Sequence, residues 1–357
     1  MAIKEKLGFG IIGAGAIAPF HAEAINDLPE ATLVGVCDSI EERARSLAEK
    51  FNAKMWCTDY RELLERKDID VINLCLPPSL NAKITQEAAK VHKNVIVEKP
   101  MALNVEQADS MISSCKEAKV KLGVIFPCRF SEDTKRVKNI IEEGRLGKLF
   151  MGNAFTNWFR TKEYYENASW RKTWSGQGGG VLMNQAIHSI DLLQWYMGPV
   201  KSIYGLMDTF VHDIEVEDSA VAILQFENGA VGVIQGTTAA FPGFPRKIEI
   251  FGEKGSIVLK VHFLELLAII GSEMEIKGDL RQDYVNKRPG DCSSGPVHLT
   301  SEYHRLQIED FINAVKEDRK PFVDGEEGKK SLEIIQAIYR SARTGKTVRL
   351  PLKSNSS

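Results

Sequence analysis

Gly13, Gly15 and Ala18 stand in G-x-G-x-x-A spacing behind an apolar run that ends at Ile12, and Asp38 closes the next such run, Val34-Gly35-Val36-Cys37. This spacing suits a dinucleotide. The first glycine permits a tight strand-to-helix turn, the second lets main chain approach a pyrophosphate at a helix N-terminus, and the small third residue packs helix on strand. Asp38 is placed to accept hydrogen bonds from an adenosine ribose. A carboxylate there repels a 2′-phosphate and so favours NAD, while neighbouring Ser39 and Arg43 soften that preference and leave NADP open.

Ligands of an open parallel sheet lie beyond the carboxyl ends of its strands. That singles out Leu76-Pro77-Pro78-Ser79-Leu80-Asn81 after one apolar run and Glu98-Lys99-Pro100 after another. A lysine at that depth has its pKa lowered by desolvation and can hydrogen-bond a substrate hydroxyl or its developing alkoxide; the plainer reading of Lys99 is a surface lysine. His188 follows Gly178-Gly179-Gly180, in a helical period that sets Asn184, His188 and Asp191 on one face. Polar neighbours on both adjacent turns suit a histidine acting as base. His21, His92, His212, His262, His298 and His304 show no ligand spacing, so no structural or catalytic metal is expected.

The elements that must position these groups fall into two sets. From Leu7 to about Phe126, short apolar runs alternate with helical periods, the βαβ rhythm of a doubly wound parallel sheet with strands at Gly8 to Ile12, Thr32 to Cys37, Lys54 to Cys57, Asp70 to Leu76, Asn94 to Glu98 and Lys121 to Phe126. After Arg129 come a helix near Asp133 to Glu143 and then strands joined by hairpin turns, clearest at Asn228-Gly229 and Lys254-Gly255. Helices at about Val181 to Met197, Ser301 to Glu317 and Gly328 to Thr344 are expected to cover one face of that sheet, and Lys277 to Val297 reads as a loop. The fold class is therefore an α/β Rossmann domain, residues 1–127, followed by an α+β domain with a large open, mostly antiparallel sheet, residues 128–357.

The 357 residues suit two cores, and 46 basic against 48 acidic residues without long runs of one sign argue against nucleic-acid or membrane-surface partners. Lys4 and Lys6 before an apolar stretch mimic a signal peptide, but cleavage there would destroy the glycine fingerprint. No apolar run is long enough to span a bilayer. Six scattered cysteines without a C-x-x-C pair read as reduced thiols, which points to the cytoplasm.

Taken together, Gly13-Ala14-Gly15, Glu98-Lys99-Pro100, the triple glycine with His188 and Asp191, and the closing Asp324-Gly325-Glu326-Glu327-Gly328 with Ala337 to Ala342 resemble the Gfo/Idh/MocA family, named for glucose-fructose oxidoreductase, inositol dehydrogenase and rhizopine catabolism. The resemblance spans nearly the whole chain. It implies hydride transfer between nicotinamide C4 and a secondary hydroxyl or ketone of a sugar, sugar derivative or cyclitol, with Lys99 as the active-site lysine and His188 as general base. It also implies a homodimer or homotetramer formed through the C-terminal sheet. The family commonly carries aspartate where this chain has Asn184, an amide that can orient an imidazole but not stabilise its cation, and often histidine where this chain has Asn81.

On this reading the coenzyme contacts are Gly13, Gly15, Ala16, Ile17, Asp38, Ser39, Leu76, Pro77, Asn81, Glu98, Lys99, Arg129, Trp170 and Arg171. Substrate contacts come from Lys99, Asn157, Arg160, Trp174, Asn184, Gln185 and His188, where Trp158, Tyr164 and Tyr165 also cluster. The aromatics either stack on sugar faces or simply pack an interface, and the two arginines raise an acidic or nucleotide-linked sugar as substrate. Two rival readings share the fold: a glycosidase that retains its NAD, and a nucleotide-binding sensor without turnover.

Overall fold

A computed structural model describes residues 5–276 and 301–352. The expected loop at Lys277 to Val297, together with Cys292 and His298, lies outside them. Two compact units emerge: one holds described residues 5–127 and 301–329, the other 128–276 and 330–352.

The first unit is built on six parallel strands: β1 Leu7–Ile12, β2 Ala31–Cys37, β3 Met55–Cys57, β4 Val71–Leu74, β5 Asn94–Val97 and β6 Leu122–Val124. They lie in the order β3-β2-β1-β4-β5-β6. The order reverses at β1 and β4, which opens a crevice at their carboxyl ends. β1 and β4 are buried along their whole lengths, as continuous apolar strands covered on both faces must be.

One expectation is corrected here. Helix Ser301–Lys316, anticipated over the second sheet, packs instead in the first unit, where Ile308, Phe311 and Ile312 join Phe9, Ala22 and Ile25 in one core. Helical periodicity reveals an apolar stripe but carries no information about which surface the stripe meets.

The second unit carries β7 Leu149–Asn157, β8 Val200–Asp208, β9 Ser219–Phe226, β10 Val231–Thr237, β11 Lys247–Gly252, β12 Gly255–Lys260, β13 Phe263–Ile269, β14 Glu273–Ile276 and β15 Val348–Arg349. Their order is β14-β13-β12-β11-β7-β10-β9-β8-β15, antiparallel throughout except for the parallel pair β7 and β10. β9 alternates strictly, with Ala220, Ala222 and Leu224 buried and Val221 and Ile223 exposed. Both hairpin signals stand where expected, Asn228-Gly229 between β9 and β10 and Lys254-Gly255 between β11 and β12.

Candidate active site

In the first unit the nucleotide cradle follows β1. Gly13 adopts φ +96°, and a side chain there would put Cβ 2.4 Å from the Cys75 carbonyl oxygen, so only glycine fits. Gly15 has nothing within 4 Å of where its Cβ would stand. Space on that side of the exposed Gly15-Ala16 turn is what a coenzyme needs for close approach, and Ile17 precedes the helix Ala18–Asn26. Asp38 braces the turn, accepting from the Ala14 amide at 2.8 Å and the Ile40 amide at 2.9 Å. Each carboxylate oxygen keeps a second lone pair for a ribose hydroxyl. Exposed Ser39 follows Asp38, half-buried Leu76 and Pro77 follow β4, and Lys99, half-buried, follows β5 and Glu98. The buried Asn81 donates to the Pro100 carbonyl at 3.4 Å, and its own carbonyl oxygen has no hydrogen-bond partner.

Glu98, expected at the coenzyme, instead turns into a buried network. Its Oε1 accepts from His21 Nε2 at 2.9 Å and lies 3.6 Å from His304 Nε2, while Oε2 accepts the Lys99 amide at 3.1 Å. Burial alone would raise the Glu98 pKa, but the two imidazoles outweigh it and hold the carboxyl well below the usual range. Burial pushes the His21 pKa down, against the pull of the Glu98 carboxylate. Asn73 Nδ2 donates to His21 Nδ1 at 2.8 Å, which assigns the proton to Nε2. His21, Glu98 and His304 offer the residue types of a metal site, brought together from distant sequence positions. In this arrangement His21 donates from Nε2 to Glu98 while its Nδ1 faces Asn73. The network's visible effect is to hold the main chain at Lys99.

In the second unit His188 is 6 % exposed at the start of helix Ile187–Met197. The regular helix expected from Val181 is interrupted, because Leu182–Ala186 form a π-helical turn, a wide turn frequent at functional sites. Glu217 holds its beginning, accepting from the Gly180 amide at 2.7 Å, the Leu182 amide at 3.0 Å and the Tyr339 hydroxyl at 2.7 Å. A side chain at Gly180 would put Cβ 1.8 Å from the Glu217 carbonyl oxygen, so the glycine run serves close approach.

Burial pushes the Glu217 carboxyl up to about 7, against the opposing pull of its three donors. The folded protein therefore binds this proton more tightly than the unfolded chain. The resulting stability is complete below the ordinary value of 4.5 and is lost as pH rises to about 7. Across that window Glu217 is expected to cost roughly 3 kcal/mol. Urea midpoints of the parent should fall relative to Glu217→Gln between those limits, and parallel curves would rule the effect out.

Asp191, expected beside His188 on a polar face, is committed elsewhere. It accepts from Arg129 Nε at 2.8 Å and Nη2 at 2.7 Å, with the pair 0 and 1 % exposed. Arg129, expected at the coenzyme, is thus the buried partner of the His188 helix, and its guanidinium also lies over Trp195. A shared helical face says which residues are neighbours on one helix, not which side chain arrives from another element.

The insertion after β7 assembles a stack. Arg160 lies between the rings of Trp158 and Tyr164, each 4.8 Å away, and Arg171 between Tyr164 at 4.6 Å and Trp170 at 5.0 Å. Asn184 donates to the Tyr164 hydroxyl and to Gln177, both at 2.9 Å, and Gln185 donates to the same hydroxyl at 3.1 Å. Of the expected substrate contacts, Arg160, Asn184 and Gln185 therefore converge, joined by Arg171 and Trp170 from the coenzyme set. Asn157 and Trp174 do not join them. Asn157 accepts from Gln235 on the sheet, and Trp174 packs on Tyr339 and Arg343 while donating to the Glu215 carbonyl. Glu217 and Gln177 carry no sequence signal, and His304 shows no ligand spacing in the sequence although it meets Glu98 in the fold. None of them sits in a motif whose spacing signals chemistry.

Residues 7–126 match the family model described as an oxidoreductase family with an NAD-binding Rossmann fold, and residues 134–258 match the GFO/IDH/MocA C-terminal domain. The chain is 28% identical to myo-inositol 2-dehydrogenase of Thermotoga maritima over 96% of this chain and 98% of that one. It is 32% identical to the uncharacterized oxidoreductase YrbE of Bacillus subtilis over 71% and 74% respectively. A crystal structure of the WlbA dehydrogenase from Bordetella pertussis, in complex with NADH and UDP-GlcNAcA, superposes with a TM-score of 0.84 at 33% identity, covering 98% of this chain and all of that one.

Proposed function

The chain belongs to the GFO/IDH/MocA oxidoreductases, an NAD-binding family of sugar and cyclitol dehydrogenases, and from that premise we propose that it transfers hydride at a secondary hydroxyl of a sugar, sugar derivative or cyclitol. The observation that carries this reading is the cradle, in which Asp38 is hydrogen-bonded to the Ala14 amide beside open space at Gly15. NAD supplies the hydride acceptor when bound. Gly13, Gly15, Ala16 and Ile17 hold its pyrophosphate, Asp38 and Ser39 its ribose, and Leu76, Pro77 and Asn81 line its far end.

His188 takes or returns the hydroxyl proton, and Lys99 is the active-site lysine that hydrogen-bonds a substrate hydroxyl. Asn184, a neutral amide where the family resemblance implies aspartate, leaves more of the proton handling to Lys99. The test is reduction of NAD or NADP by a panel of inositols, neutral sugars and uronates, with no reduction by any of them counting against the proposal. Asp38→Ala is expected to weaken NAD binding more than NADP binding, because only NADP is relieved of a carboxylate facing its 2′-phosphate. Equal loss for both coenzymes would remove the ribose-contact role.

We further propose self-association through the second sheet. Tyr204, Leu206, Val221, Ile223 and Val231 form an exposed apolar face on β8 to β10, with Leu206 opposite Val221 and Tyr204 opposite Ile223. Such a face on a soluble chain marks an interface. Five buried free thiols, Cys37, Cys57, Cys75, Cys115 and Cys128, support a reducing compartment such as the cytoplasm. Among the described residues no helix is long and apolar enough to cross a membrane.

A further inference from the structure

Resting on the dehydrogenase reading, we infer that the substrate carries an oxyanion, a carboxylate or a phosphate, and that Arg160 and Arg171 receive it. The two guanidiniums flank the ring of Tyr164, with Trp158 and Trp170 closing the stack. Arg160 is 9 % exposed, and the buried Nε atoms of both arginines have no hydrogen-bond acceptor. Among the described residues no carboxylate lies within ion-pair distance of either group, in contrast to Arg129, which has Asp191.

A buried guanidinium beside a second, half-buried one, with no counterion among the described residues, is costly. Burial and the neighbouring Arg171 both act to lower the Arg160 pKa, against the pull of the Tyr164 hydroxyl. Aromatic faces leave the edges of a guanidinium for hydrogen bonding, and those edges match the spacing of carboxylate or phosphate oxygens. The stack is tied to the His188 helix, since Asn184 and Gln185 both donate to the Tyr164 hydroxyl. An anion bound here is therefore held on the same scaffold as the proposed base. A neutral sugar leaves the buried charge of Arg160 and the half-buried charge of Arg171 unanswered.

The experiment uses NADH-loaded protein titrated with D-glucuronate, D-galacturonate and glucose 6-phosphate, with glucose and myo-inositol as neutral counterparts. Binding is read by coenzyme fluorescence and turnover by NADH formation from NAD. The expected result is a preference for at least one anionic probe of about 10²-fold or more over the neutral compounds. Arg160→Met or Arg171→Met should bring that ratio toward one, with Arg→Lys at either position intermediate because charge remains but the planar fork is lost. The carboxylate and phosphate arms identify which oxyanion is read. Should Arg160→Met fail to fold, the less buried Arg171→Met gives the same readout.

Three results overturn the inference: neutral compounds bound as well as anionic ones, a preference unmoved by both methionine variants, or no anionic probe bound at millimolar concentration. Oxidation of neutral polyols with a ratio near one would leave the dehydrogenase reading standing alone. Anion-dependent quenching without NAD reduction by any probe would do the reverse.

Discussion

Lys99→Ala is expected to lower kcat by about 10²–10⁴-fold, the usual share of a positioned proton-handling group, while NAD affinity stays nearly unchanged. The separation follows from the local structure. Glu98 Oε2 accepts the Lys99 backbone amide, and Glu98 is itself held by His21, so truncating the side chain removes the ammonium without releasing the main chain. The cradle at Gly13, Gly15 and Asp38 is held by the Ala14 amide donating to Asp38 and by the positive φ of Gly13. Single-turnover rates and coenzyme titration on the same variant decide the matter. A collapse of nucleotide binding would reassign Lys99 to the coenzyme, and unchanged turnover would remove it from the chemistry. His188→Ala should give a loss of similar size, because the carbinol proton then has no acceptor in the second unit's helix.

Asp191→Ala should destabilise the second unit by about 3–5 kcal/mol, the cost of leaving a buried charge without its partner. Arg129 is 1 % exposed, and Asp191 accepts from both its Nε and an Nη, so the truncation strips a buried guanidinium of this carboxylate. Because Asp191 lies one turn beyond His188 on the same helix, turnover should fall as well. The double variant Arg129→Met, Asp191→Leu separates the two contributions: it removes both charges and should recover most of the stability. Urea denaturation of the three proteins is the measurement. A loss below about 1 kcal/mol for Asp191→Ala would place the pair in the weak class of surface ion pairs.

What the amino-acid order determined by itself was everything local. The G-x-G-x-x-A turn, the acid closing the second strand, the two hairpin dipeptides and the alternation of β9 are dictated by backbone sterics and by side-chain period, which act within a few residues. The glycine turn, Asp38 and the position of Lys99 past a strand end were legible for that reason, and so were the two fold classes. What only the tertiary structure decided was pairing across distance. Glu98 meets His21 and His304, and Arg129 meets Asp191, each across long stretches of chain. Helix Ser301–Lys316 joined the first core rather than the second sheet, and a π turn displaced the expected regular helix. Buried charge and apolar stripes each require a complement, yet neither states where in the chain that complement lies, so the partner is settled only when distant segments meet.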